Sequence, residues 1–110
     1  MTKGQISHLS AEMQAFCRSV TRRWSLNVHH EALLVKAAEA HDRGEQAKTL
    51  LSEQGLTTIA KSGEIRPHPA VAIERDSRTA FARLIRELGL SNDVDDNRPP
   101  RLAGRYAGRD

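Results

Sequence analysis

The sequence predicts an all-α protein, built as a helical hairpin with a third helix and a small β-hairpin or extended loop between helices two and three. Three segments carry apolar residues at helical spacing, and each follows a residue that can cap a helix. A short stretch with β-branched residues separates the second segment from the third. With 110 residues, of which 4% are aromatic, the chain forms one domain with a modest core. We expect a flexible N-terminus at 1–9, a helical domain at 10–90 and a disordered, charged arm at 91–110.

The first predicted helix is amphipathic with a cationic flank. Ser10 can cap it, because the side-chain oxygen can accept a backbone N–H of the opening turn. Three arginines lie mostly off its apolar face: Arg18, Arg22 and Arg23. The apolar face itself falls at helical spacing and consists of Met13, Phe16, Cys17, Val20 and Trp24.

The second predicted helix runs from Val28 to Gln54 behind the cap Asn27, which gives a rod of about 40 Å. Only Gly44 opposes it, since glycine costs about 1 kcal/mol relative to alanine in a helix interior. A break into two helices at "DRGE" is the alternative. A seam of mostly small residues would let another helix approach closely. We predict that this seam forms the interface of a homo-oligomer, through Leu33, Ala37, Ala40, Gly44, Ala47 and Leu51.

The segments after Gly55 predict a turn and a final helix. "LTTIA", "KSG" and "EIR" have the pattern of a hairpin, which two short strands cannot stabilise without leaning on helices or on another subunit. The last helix begins at Pro69 behind the cap His68, because proline suits a first helical position whose N–H would have no intrahelical partner. It ends at Gly89, a left-handed residue, and it should bury Ala70, Ile73, Ala80, Phe81, Leu84, Ile85 and Leu88.

Basic residues are the main functional signal of the sequence. The net charge is +3, which by itself is weak support for an anionic partner. The arginines of the last helix alternate with acids, a pattern as typical of a solvated face as of a binding surface. Those of the first helix and of the arm are less compensated, and arginine suits phosphate backbones. The candidate contacts to a nucleic-acid backbone are Arg18, Arg22, Arg23, Lys61, Arg66, Arg98, Arg101 and Arg105.

Catalytic and metal-binding patterns are weak. His29, His30 and Glu31 are adjacent in sequence, whereas helical metal ligands need a separation of three or four residues. A metal site shared across a subunit interface stays open as an alternative. Cys17 lies on an apolar face and is predicted to be a core residue and not a nucleophile. We expect no enzyme, no cofactor and no metal.

The N-terminus lacks the apolar segment of a signal peptide. No apolar stretch approaches the roughly 20 residues that span a bilayer. The single cysteine cannot form an internal disulfide. Together these features predict a soluble, intracellular protein.

The order of motifs resembles the small subunit of a tailed-phage terminase over about residues 9 to 90. The similarity is carried by "LSAEMQAFCRSV", "HHEALLVKAAEAHDR", "LLSEQGLTT" and the long run from "GEIRPHP" to "ELGL". Its most specific part is an ordered set of ten residues. They are Gly55, Gly63, Arg66, His68, Pro69, Phe81, Leu84, Leu88, Gly89 and Leu90.

The resemblance implies a non-catalytic packaging factor that binds double-stranded viral DNA and presents it to the large terminase subunit, the ATPase and nuclease. It also implies a ring-shaped homo-oligomer in the cytoplasm of an infected or lysogenic bacterial host. After "ELGL" the chain departs from the family's usual Ser-Pro and arginines. The alternative is a helical homo-oligomeric adaptor without nucleic-acid binding, and a metal nuclease is a third reading.

Overall fold

Residues 1–90 are described by this computed structural model, and they form four helices and one antiparallel pair of strands. The mostly helical architecture predicted from the sequence is confirmed. The predicted arm at 91–110 lies outside the described residues. None of the helices within residues 1–90 has the length and apolar content of a membrane span. In chain order the elements are α1 (Lys3–Ile6), α2 (Ala11–Arg23), α3 (Val28–Gln54), β1 (Thr57–Ile59), β2 (Ile65–Pro67) and α4 (Pro69–Leu88).

The predicted caps define the helix ends. The Ser10 hydroxyl accepts from the Met13 N–H at 3.1 Å, and the Asn27 side chain accepts from the His30 N–H at 3.0 Å. Gly89 ends α4 with φ 66°, the left-handed conformation that glycine adopts most readily. Because α3 continues through Gly44 as one helix, the alternative break at "DRGE" does not occur.

The junction between β2 and α4 depends on one neutral imidazole. His68 is 9% exposed, and its Nδ1 accepts from the Ala70 N–H at 2.9 Å. That bond requires a lone pair on Nδ1, so the ring proton sits on Nε2, which donates to Gln54 Oε1 at 2.7 Å. The same ring therefore caps α4 and ties its first residues to the last turn of α3.

The closest helix pair is α3 against α4, and it corrects the predicted role of the seam. Ala37, Ala40 and Ala47 are 0%, 6% and 3% exposed. A Cβ placed on Gly44 would lie only 3.3 Å from Ser77 Cβ, so α4 of the same chain fills this part of the seam. Only the outermost residues, Leu33 and Leu51, are partly exposed. The small residues are thus not an open interface between copies, because α3 folds back on its own chain.

The N-terminal segment also differs from the expected flexible terminus at 1–9. Lys3–Ile6 is helical, and Ile6 and Leu9 are only 1% and 5% exposed. Both belong to one buried cluster in which α1, α2, α3 and the end of α4 meet, together with Met13, Cys17, Val20, Leu34, Ala38 and Leu88. The segment packs there because burial of the Ile6 and Leu9 side chains removes apolar surface from water.

The β-hairpin is the least covered part of the described chain. Thr57 pairs with Pro67, Thr58 with Arg66 and Ile59 with Ile65. Every residue of both strands is exposed. Nearby, Ile73 is 44% exposed, although the spacing of α4 predicts burial. The hairpin therefore does not lean on the helices as two short strands would need to.

We expect His68→Ala to lower the free energy of unfolding by about 1 to 2 kcal/mol, because both the cap and the bond to Gln54 are lost. His68→Asn should lose less, since asparagine retains a capping oxygen. Urea unfolding followed by circular dichroism measures both, with the exposed His29→Ala as control. Equal losses for the Ala and Asn variants would refute the capping role.

Gly44→Leu should destabilise the chain by about 1 to 3 kcal/mol through overpacking against Ser77. The matched control is Gly4→Leu, since nothing lies within 4 Å of a Cβ at Gly4. Urea unfolding measures stability, and light scattering at equal concentration measures assembly. If the Gly44→Leu variant kept its stability but formed assemblies of lower mass than the wild type, the seam would be an interface between copies after all.

Candidate nucleic-acid interface

The predicted DNA-binding arginines of α2 lie on its outer side. Arg18, Arg22 and Arg23 are all exposed, and the last two occupy the final turn of the helix. Arg23 places its guanidinium carbon 5.0 Å from the centre of the Trp24 ring, a cation–π contact. Trp24 is partly buried and packs against the core, as its spacing predicts.

The end of α4 brings further arginines to the same region. The rings of Phe16 and Phe81 lie 6.1 Å apart, which sets the middle of α2 against the middle of α4. Arg83 is exposed, and Arg86 is exposed in the last turn of α4. We call this set the basic end of the bundle: Arg18, Arg22, Arg23, Arg83 and Arg86. The sequence alone does not distinguish a solvated face from a binding surface at the two α4 arginines, although their spacing of three residues places them on one side of the helix.

The predicted hairpin cations lie elsewhere. The start of α2 is joined to Asp42, whose carboxylate accepts from the Ser10 N–H and hydroxyl, both at 2.7 Å. From that point α2 runs back toward the start of α3, while α3 continues the other way for about 18 Å before the hairpin begins. Lys61 and Arg66 are exposed but do not join the basic end. The other predicted contacts, Arg98, Arg101 and Arg105, lie outside the described residues.

Ion pairing divides the arginines of the described chain into two groups. At the hairpin and in the first half of α4, arginines have nearby carboxylates: Arg66 with Glu64 at 3.0 Å, Arg75 with Asp76 at 3.2 Å and Arg78 with Glu74 at 3.1 Å. Within residues 1–90, no carboxylate pairs with Arg18, Arg22, Arg83 or Arg86, nor with Arg43 in the middle of α3. Most of the arginines without a carboxylate partner within residues 1–90 thus lie at the basic end, where a phosphate would meet little competition.

The histidines and carboxylates near the start of α2 form polar links and not a metal centre. His8 Nε2 lies 2.8 Å from Glu39, and His41 lies 3.9 Å from Glu12 and 3.7 Å from Asp42. Among the described residues, no group of three or more His, Cys, Asp or Glu side chains is placed to hold a metal ion. His29 and His30 contact each other, with ring centres 4.7 Å apart.

Cys17 is fully buried in the core, as its position on the apolar face predicts. Burial raises the pKa of the Cys17 thiol above its usual value, and the negative charge of Asp42 raises it further, against a smaller lowering by Arg18. Because the thiolate is the nucleophilic form, this environment keeps the sulfur unreactive.

Three comparisons with known proteins gave one match, to a protein family. The family model described as phage terminase, small subunit, matches residues 11–95. No curated protein and no solved structure gave a match. The matched region includes α2, α3, the hairpin and α4, and so covers both the basic end and the His68 junction. The chain therefore belongs to the family of phage terminase small subunits.

Proposed function

We propose that this protein binds double-stranded phage DNA through the basic end of its bundle and presents it to the large terminase subunit. Membership of the family implies a role in phage DNA packaging. The observation that carries the proposal is a group of four exposed arginines on the C-terminal halves of α2 and α4 that have no carboxylate ion pair within residues 1–90: Arg18, Arg22, Arg83 and Arg86. Guanidinium groups in such an array neutralise successive phosphates without reading base sequence.

The sequence after α4 supplies further arginines for the proposed DNA contact. The arm begins at Ser91, directly beyond the last turn of α4, and it carries Arg98, Arg101 and Arg105. Arginines that start beside a bound duplex can reach further phosphates along it. We assign Lys61 and Arg66 no main role, since they lie away from the basic end and Arg66 already contacts Glu64.

In this role the protein is a non-catalytic component of the phage DNA-packaging complex. The large subunit would supply ATP hydrolysis and DNA cleavage, and the small subunit would act as a ring-shaped homo-oligomer in the cytoplasm of an infected or lysogenic host. A ring suits this task because each copy adds one basic end, so that weak phosphate contacts act together. We expect no cleavage when divalent metal is added to DNA and the full-length protein, and cleavage would show that the protein has a nuclease activity of its own.

Changing Arg18, Arg22 and Arg23 to Gln should weaken binding to every duplex sequence and flatten its salt dependence. Each lost phosphate contact removes about 0.9 from the slope of log affinity against log salt. Mobility shifts over a salt series measure both effects. The matched control changes Arg66, Arg75 and Arg78 to Gln, which removes the same formal charge from residues that already have carboxylate partners. Equal losses in the two variants would show that net charge, and not the basic end, governs binding.

Truncation after Asn97 tests the share of the arm, because it removes Arg98, Arg101, Arg105 and Arg109. We expect a smaller fall in slope than in the α2 variant, since arginines held on a folded helix lose less conformational freedom on binding. The same salt series measures it. A larger fall on truncation would make the arm the main contact, and no mobility shift for the intact protein at low salt would favour a helical adaptor without nucleic-acid binding.

A further inference from the structure

The chain leaves α4 turned back toward the bundle. Gly89 ends the helix with φ 66° and ψ 24°, a left-handed ending after which the next apolar residue commonly folds back onto the helix. Leu90 is accordingly partly buried and packs against the cluster that contains Leu88. Trp24, at the end of α2, packs against the same cluster. Because α2 and α4 both run back toward the start of α3, the chain beyond Leu90 begins beside the end of α2, at the basic end.

Three aspartates follow this exit within six residues: Asp93, Asp95 and Asp96. We call residues 93–96 the acidic segment, and it lies outside the described residues. No Lys or Arg separates it from Leu90. At about 3.3 to 3.6 Å per residue, three to six residues beyond Leu90 span at most roughly 10 to 22 Å. Arg86 and Arg83 lie only about 4.5 and 9 Å before Gly89 along the helix axis, so the acidic segment can reach both.

The surface within this reach carries the opposite charge. Arg22, Arg83 and Arg86 are exposed and have no carboxylate partner within residues 1–90. Arg23 occupies the last turn of α2, next to Trp24. Guanidinium groups bind carboxylates and phosphates with the same planar pair of N–H donors. Because the acidic segment is tethered a few residues away, its effective concentration at the basic end is about millimolar or higher, and even weak ion pairs then form.

We infer that the acidic segment binds the basic end of its own chain in the DNA-free protein, with its carboxylates in the positions that DNA phosphates would take. DNA must then displace the segment, which lowers the affinity for every duplex sequence by the same factor. Arg98 follows the acidic segment directly, so displacement would leave the arginines of the arm beside the bound duplex. The contact itself requires no DNA, whereas its competition with DNA rests on the proposed function.

Carbodiimide coupling of the DNA-free, full-length protein tests the contact. The reagent joins a carboxylate to a lysine amine without a spacer, and Arg23→Lys supplies that amine at the end of α2. Arg66→Lys is the matched control, because it supplies the same amine on the hairpin. We expect peptide mass spectrometry to find the acidic segment linked to residue 23, and the link to disappear at high salt, which screens ion pairs. No link at residue 23, an equal link at residue 66, or a link joining two chains, seen as a doubled mass on a denaturing gel, would overturn the inference.

Duplex affinity tests the competition. Changing the three aspartates of the acidic segment to Asn should raise the affinity roughly fivefold to tenfold at low salt, because three weak exposed ion pairs no longer oppose binding. The gain should shrink as salt rises. The matched control adds the same formal charge at exposed acids away from the basic end, through Glu53→Gln, Glu64→Gln and Asp76→Asn.

Mobility shifts of both variants over a salt series measure these gains. Equal gains in the two variants would show that net charge alone acts, and no gain in the acidic-segment variant would show that the segment does not compete with DNA. Either result would overturn the inference. If no form of the protein shifted DNA at low salt, the proposed function would fail, whereas the coupling experiment would still decide whether the contact exists.

Discussion

The close approach of α3 and α4 is the constraint on which the rest of the structure depends. At Gly44 and Ser77 there is no room for a larger side chain, and alanines continue the contact on either side. Beside this pair lies α2, with Phe16 against Phe81 of α4. The pair also holds the end of α3 beside the start of α4, where His68 joins the two through Gln54. The positions of the basic end and of the β-hairpin both follow from that pairing.

The helix caps and helix ends could be predicted from the sequence, because local interactions determine them. Ser10 and Asn27 cap their helices through atoms three residues away, and Gly89 ends α4 by its own backbone conformation. Such short-range bonds can be recognised from the residue types and their spacing in the sequence. The partner of the small-residue seam was not predictable in this way, because the pattern at Ala37 and Gly44 shows that a helix approaches but not from which chain it comes.

Long-range contacts account for the other differences. Residues 1–9 have no periodicity of their own, and Ile6 and Leu9 are buried only because α2, α3 and α4 converge on them. The grouping of Arg83 and Arg86 with the α2 arginines depends likewise on the packing of α4 beside α2, where Phe16 contacts Phe81. By contrast, the exposed hairpin was foreseeable in part, since two short strands without a partner are marginal in water. No local pattern indicated that the helices of the same chain would leave the two strands exposed.

Trp24, which contacts Arg23 through a cation–π interaction, is an intrinsic fluorophore of the protein. Trp24 is the only tryptophan of the chain, and the only tyrosine, Tyr106, belongs to the arm. Indole emission therefore arises from the basic end alone, with a guanidinium 5.0 Å from the fluorophore. The hairpin contains no aromatic residue and is silent at these wavelengths. Intrinsic fluorescence thus separates events at one end of the bundle from events at the other, without any dye attached to the protein.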